Sequence, residues 1–285
     1  MVSPLERLHA AGVSRRLYPV PVAAALARAR AGRTWRSNAR ARDKAIRSME
    51  LLVGRTPRAG EVEQLARRHL SNKYLYEDLL WRERVVTTLR VDNLDRIRAL
   101  LTAGSGVIVS FLHQGQFNGL FASITRQGVS LVVVANPLFY RPPEPTWQGQ
   151  VLAQQFRIAT DHAGITTIPA DQSFDHIVSH LRDGAAVALA ADIPGSGPVR
   201  FLGRSFGMAS GAAKASMLTG APIVPVSAAP EGYLNRYDVQ PALQPSEFPD
   251  ADTLLQALFD RHEPAVLSWP EAVEGPLWQY KEIER

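Results

Sequence analysis

Residues 107–120 read VIVSFLHQGQFNGL, and this stretch decides the fold class. It opens on an unbroken apolar run, Val107 to Leu112, rich in β-branched residues and of strand rather than helix length. Such a run suits a strand buried on both faces. His113 and Gly115 follow at once, and then a helix-compatible segment, 118–126. Working outward, four more short apolar runs appear at 131–135, 165–169, 186–191 and 223–228. Helix-length stretches lie between most of them, at 118–126, 147–162, 171–183 and 209–218, with a last helix at 251–261. Strands alternating with helices predict an α/β fold with a largely parallel central sheet flanked by helices. An edge strand is expected around 236–239.

Upstream of this stretch the period is different. Residues 1–100 read as helical, broken at Gly32, at Gly54 and by a turn over 57–60. Val62, Leu65, Leu70, Tyr74 and Leu79 recur at helical spacing. Asp92 or Asn93 is placed to cap a further helix that ends near Gly104. The expected organisation is a basic helical N-terminal region, 1–100, and an α/β unit, 101–285, forming one structure.

Composition narrows the classes. There is no cysteine among 285 residues, which excludes a disulfide framework, a thiolate nucleophile and Cys-ligated zinc. No run of 18 apolar residues occurs, so no transmembrane helix is expected. The first hundred residues hold 21 Lys and Arg against 10 Asp and Glu, whereas the remainder holds 11 against 17. A basic half of this kind is either a solvated arginine-rich helix surface or a surface for anionic partners: phospholipid headgroups or an acidic carrier protein. Nucleic acid is not expected, because neither aromatic stacking motifs nor zinc-finger spacing accompanies the charge.

Two places carry candidate chemistry. Ligands of open α/β sheets sit at the carboxyl ends of strands. His113 stands at such an end, and imidazole titrates near neutrality, as a general base must. From the residues alone it is a base or a packed structural histidine. The second place is residues 192–207, DIPGSGPVRFLGRSFG, read as a polar loop after the run at 186–191. There Gly195 and Gly197 would let backbone N–H groups approach an anion, and Arg200 and Arg204 would pair with it. His176 and His180, four residues apart on a helix, lack the carboxylate pattern of a metal site, and no metal is expected. Phe117, Phe121, Phe139, Tyr140 and Trp147 read as core packing or as the wall of an apolar channel.

These blocks, in this order, resemble the lipid A biosynthesis acyltransferases and their actinobacterial relatives, the phosphatidylinositol mannoside acyltransferases. The resemblance covers roughly residues 40–280. The family carries His, four residues, then Asp or Glu; here His113 is followed at that spacing by Asn118. The family's second block matches Asp192, Gly195-Ser-Gly197, Phe206-Gly207, the small-residue helix 208–219 and Gly220-Ala-Pro-Ile-Val-Pro225. Asn136-Pro-Leu-Phe-Tyr-Arg141, Arg157 and Gly164 match smaller blocks between them.

The resemblance implies transfer of an acyl group from acyl-CoA or an acyl carrier protein to a hydroxyl or amine, with no permanently bound cofactor. It assigns His113 as base and Asn118 as its orienter. Asp192 and Glu144 become the replacement acids to examine. Gln116, Arg141, Arg157, Gly195, Gly197, Arg200 and Arg204 are assigned to substrate or donor binding. The acceptor is a glycolipid or a small molecule of specialised metabolism. The family usually begins with a membrane-anchoring hydrophobic helix, which is not expected here; that departure and the residue change at 118 lean toward a soluble acceptor. With no segment long enough to span a bilayer and a basic N-terminal region, the chain is expected to be cytoplasmic and to attach at most peripherally to the inner face of the membrane. The alternative is a non-catalytic lipid- or carrier-binding protein of the same fold.

Overall fold

The computed structural model describes residues 18–136, 149, 151, 153–154, 157–158, 164–170, 173–275, 280 and 282–283. Arg141, Glu144, Phe139, Tyr140 and Trp147 lie outside these residues, as does most of the helix expected at 147–162. The chain opens with α1 (Val20–Ser37), α2 (Ala39–Val53), α3 (Val62–Leu79) and a single turn, α4 (Glu83–Val86). Asn38 separates the first two helices, its side-chain oxygen accepting from the Ala41 amide at 3.0 Å as an N-cap.

There follow β1 (Val91–Asp92), α5 (Asp95–Thr102), β2 (Val107–Phe111), α6 (Phe117–Thr125), β3 (Leu131–Ala135) and β4 (Thr166–Pro169). Next come α7 (Ser173–Arg182), β5 (Ala186–Ala190), β6 (Pro194–Phe201), β7 (Arg204–Met208) and α8 (Gly211–Thr219). The chain continues through β8 (Ile223–Glu231), β9 (Leu234–Val239) and α9 (Ala251–Ser268).

One seven-stranded sheet has the order β1-β9-β8-β2-β5-β3-β4. The five strands from β8 to β4 are mutually parallel, and β9 runs antiparallel to β8. All five residues of β2 are buried, as a strand covered on both faces requires. Its side chains alternate between two apolar clusters. Val107, Val109 and Phe111 pack with α6, α5 and the last turns of α3. Ile108 packs on the other face with residues of α2, α7, α8 and α9. The N-terminal helices therefore share both clusters with the sheet.

Three expectations differ from the structure. Residues 91–93 do not open a helix: β1 pairs with β9, and Asn93 turns the chain at φ 59° with its amide donating to Asp238 at 2.6 Å. Cross-strand bonding outweighs a local cap there. The last helix runs on to Ser268 because its buried face continues through His262 and Val266. Residues 194–208 are not a loop but an antiparallel hairpin, β6–β7, whose two-residue turn, Leu202 and Gly203, has positive φ at both positions.

Candidate active site

Strand order and register build the site. In the β2–β5 pair, Phe111 lies opposite Ala190, so the residue two positions beyond each, His113 and Asp192, come out side by side at adjacent carboxyl ends. The Asp192 carboxylate takes two bonds from His113: the backbone N–H donates to Oδ2 at 2.9 Å, and Nδ1–H donates to Oδ1 at 2.7 Å. A carboxylate only accepts, so Nδ1 carries the proton and the lone pair is on Nε2. The Asp192 side chain is 3% exposed and that of His113 is 23% exposed, so one is enclosed while the other reaches open space. Burial by itself would lower the His113 pKa, but the charge and hydrogen bond of Asp192 prevail and hold it above the usual imidazole value.

The loop that presents His113 is pinned at each residue. Gln114 donates through Nε2 to the carbonyls of Ala265 and Trp269 at 3.1 and 3.0 Å. Gly115 adopts φ 67°, and a Cβ there would meet the Asn235 side chain at 2.8 Å, so both shape and space demand glycine. Gln116 is buried and donates through Nε2 to the Tyr76 carbonyl at 3.1 Å. It supports the loop from beneath.

His113 opens onto a cavity of about 480 Å³ with mostly apolar walls, within the usual size of a small-molecule site. Phe111, Phe117, Phe121, Phe174, Ile177 and Leu189 form much of its surface. Two of the aromatic residues expected as core or channel wall therefore line it. The His113 ring meets Phe117 edge-on with centroids 4.6 Å apart. Asn118 also lines this cavity; among the described residues its side chain makes no hydrogen bond, and the group on the His113 ring is Asp192. A second histidine, His262, lies behind the site against Ser110 Oγ at 3.2 Å. Burial lowers its pKa to about 4, with the Asp192 charge opposing, so it stays neutral and structural.

The remaining candidates lie elsewhere. Arg157 ion-pairs with Glu83 and donates to Gln154 at 3.2 Å, bracing α4. Gly195 and Gly197 belong to β6, with a register shift between Pro194 and Gly197. They serve close packing: a Cβ at Gly195 would fall 2.7 Å from the Ala209 backbone, and one at Gly197 would fall 2.6 Å from Leu255. Arg200 and Arg204 stand at the hairpin tip, roughly 20 Å from Pro194 at strand rise. They line a separate cavity of about 700 Å³ with Arg55, Ser205 and Glu282. Arg204 is ion-paired to Glu282 and donates to the Glu50 carbonyl at 3.1 Å. His176 and His180 lie on α7, and among the described residues no group of three or more His, Asp or Glu could hold a metal.

Sequence reasoning did not find the C-terminal wall. Residues 272–275 lie against the histidine loop: the Gly115 amide donates to the Ala272 carbonyl at 2.9 Å and the Glu274 amide to the His113 carbonyl at 2.7 Å. A Cβ on Gly275 would fall 2.4 Å from Asp192 Oδ2. The Tyr280 hydroxyl donates to the Asp192 carbonyl at 3.1 Å. The signal, an isolated glycine some 160 residues from His113, has no local period to mark it.

No helix among the described residues is long and apolar enough to cross a membrane. No curated protein matches the chain. Among solved structures, the 1-acyl-sn-glycerophosphate (LPA) acyltransferase PlsC from Thermotoga maritima is similar at 14% identity. The match covers 70% of this chain and 82% of that one, with a TM-score of 0.42. Residues 15–272, from the first helices through the wall behind Asp192, match the bacterial lipid A biosynthesis acyltransferases; the chain belongs to that family and is an acyltransferase.

Proposed function

We propose that the protein transfers an acyl group from a thioester, acyl-CoA or acyl carrier protein, to a hydroxyl or amine of a glycolipid or small-molecule acceptor, with His113 as general base. The observation that carries this reading is the 2.7 Å His113–Asp192 pair opening onto a largely apolar cavity. Nε2 accepts the proton of the acceptor O–H or N–H as that atom attacks the thioester carbonyl. The C–S bond then breaks, and the leaving thiolate takes the proton back from the imidazolium, giving ester or amide and free thiol. Asp192 holds the required tautomer and steadies the cation formed on the way. The apolar cavity takes the acyl chain. Asn118, on its wall, supplies a neutral amide beside the base.

The donor's phosphates are assigned to the cavity at the hairpin tip, where Arg55 and Arg200 face solvent. Exposed Arg28, Arg33, Arg36, Arg40 and Arg47 on α1 and α2 offer the charge for an anionic lipid surface or an acidic carrier protein. The test is release of free thiol from acyl-CoA and from acyl carrier protein, each offered with glycolipid, alcohol and amine acceptors. Acceptor-dependent release that disappears in His113→Ala is expected. A folded protein that releases no thiol with any donor and acceptor class would overturn the reading.

A further inference from the structure

Next to His113, and outside the lining of the substrate cavity, lies a carboxyl group that the mechanism above does not use. Glu274 sits on the segment that covers the histidine loop, its amide bonded to the His113 carbonyl at 2.7 Å. Its Oε1 is shut off from solvent and has no hydrogen-bond partner among the described residues. It borders a void of about 20 Å³, also lined by Glu77, Tyr76, Gln116 and Asn118. That is room for a single water, and the surroundings are polar enough to hold one. Gln116 Nε2 is committed to the Tyr76 carbonyl, whereas Asn118 has no such bond among the described residues. Asn118 also lines the substrate cavity, so it stands between the void and the site.

We propose that Glu274 and Asn118 are joined through one water beside His113, that Glu274 is the member of this pair that ionises, and that its charge tunes how readily His113 takes a proton. Glu274 is a positioning residue in this scheme, since it reaches the reacting atoms only through His113. The charged and titratable groups that face it are Glu77, Lys73 and Tyr76 of α3, His113 and, beyond the histidine, Asp192. Burial, reinforced by Glu77, raises its pKa to about 8, with Lys73 and His113 opposing. It is therefore mostly protonated at neutral pH and able to donate. A second carboxylate at position 118 would share one small void with it, and like charges in one site cannot both ionise cheaply. An amide at 118 fits that constraint.

The inference rests on His113 being titratable, not on its being catalytic, so the test reads the imidazole directly. NMR titration of the His113 ring in the wild type should show two inflections, its own and a second near pH 8 carried over from Glu274. Glu274→Gln, which keeps the shape, should leave one inflection. Asn118→Asp should displace the His113 titration upward by about one unit, as an added nearby carboxylate does. In the double variant Asn118→Asp/Glu274→Gln the displacement should exceed the sum of the two single shifts, because a carboxylate at 118 already keeps Glu274 protonated and leaves little for its removal to change. An identical curve in wild type and Glu274→Gln would overturn the proposal. So would strict additivity of the two substitutions in the double variant. If Glu274→Gln does not fold, a single inflection in the wild type still overturns it. Thiol release by the same variants separates this result from the proposed function: loss of the coupling with transfer intact removes only the pair.

Discussion

The carboxyl ends of β2 and β5 and the tip of the β6–β7 hairpin hold the two groups of polar residues that stand out in the sequence. At the strand ends, parallel register sets His113 against Asp192 at 2.7 Å, with an enclosed carboxylate and a partly open ring. At the hairpin tip, Arg204 is already neutralised by Glu282, and Arg55 lies 3.1 Å from the same carboxylate. One region holds the His113 ring by Nδ1 and leaves it on the wall of an apolar cavity. The other leaves a surplus of positive charge in a wider cavity that contains its own counter-ion. The difference is one of preorganisation. A buried, fixed dipole aimed at a developing charge acts strongly, while partly exposed charges are screened and act on binding.

The largest expected effect tests the first region. His113→Ala should lower kcat by at least about 10²-fold while the fold persists, because general-base assistance is worth about that much. Asp192→Asn should cost between about 10² and 10⁴-fold, the upper figure being that of the same exchange in a Ser-His-Asp triad. Near-normal turnover in either folded variant removes the strand ends from the mechanism. Next, Gly275→Ala places a Cβ where only 2.4 Å separates it from Asp192 Oδ2. Displacing the carboxylate should lower kcat about 10²-fold, since misplacement of about 1 Å in a catalytic group has that order of effect. Unchanged kcat, with an unchanged melting temperature, would show that Asp192 tolerates the push.

A smaller effect is expected at the hairpin tip. Arg200→Ala should raise the donor KM about tenfold and leave kcat alone, since a contact kept from ground state to transition state affects binding only. Arg204→Ala should in addition lower the melting temperature, because it also removes the bond to the Glu50 carbonyl. A wild-type donor KM in both variants would separate this cavity from the donor. The smallest effect sharpens the contrast. The proposed base must be neutral to act, so kcat/KM should fall as pH drops through the His113 pKa, which Asp192 holds above the usual imidazole value. Removing that charge in Asp192→Asn should move this acid limb to lower pH by about one unit. Arg200→Ala should not move it, and a limb that shifts equally in both would show that the two regions are electrically joined.

The sheet was largely legible because buried parallel strands announce themselves as short apolar runs. Residues 131–135 and 223–228 fall on β3 and β8, and 186–191 on β5, to within a few residues. The β6–β7 hairpin was not legible in the same way. Its alternation rests on Val199, Phe201, Phe206 and Met208 alone, with Gly195, Gly197 and Gly207 interrupting it, and its turn is Leu-Gly rather than Asn-Gly. A glycine-rich stretch reads as a loop until its partner strand is known. Here glycine serves packing: a Cβ on Gly207 would lie 2.4 Å from the Gly195 carbonyl oxygen.

What the sequence by itself determined is the chemistry on offer: a histidine after a buried strand, an aspartate after another, a basic helical half and the order of blocks that marks the family. Those features are local, and local spacing records them. Which acid meets the histidine was decided by the fold. Asn118 is five residues from His113 and Asp192 is seventy-nine, yet the strand order places β5 beside β2 and gives the ring to Asp192. The same holds for Gly275 and Glu274, which approach the dyad only because the end of the chain crosses back over the histidine loop. A sequence lists its side chains in one dimension, and a distance of 2.7 Å between two of them is a property of register, which exists only once the strands have paired.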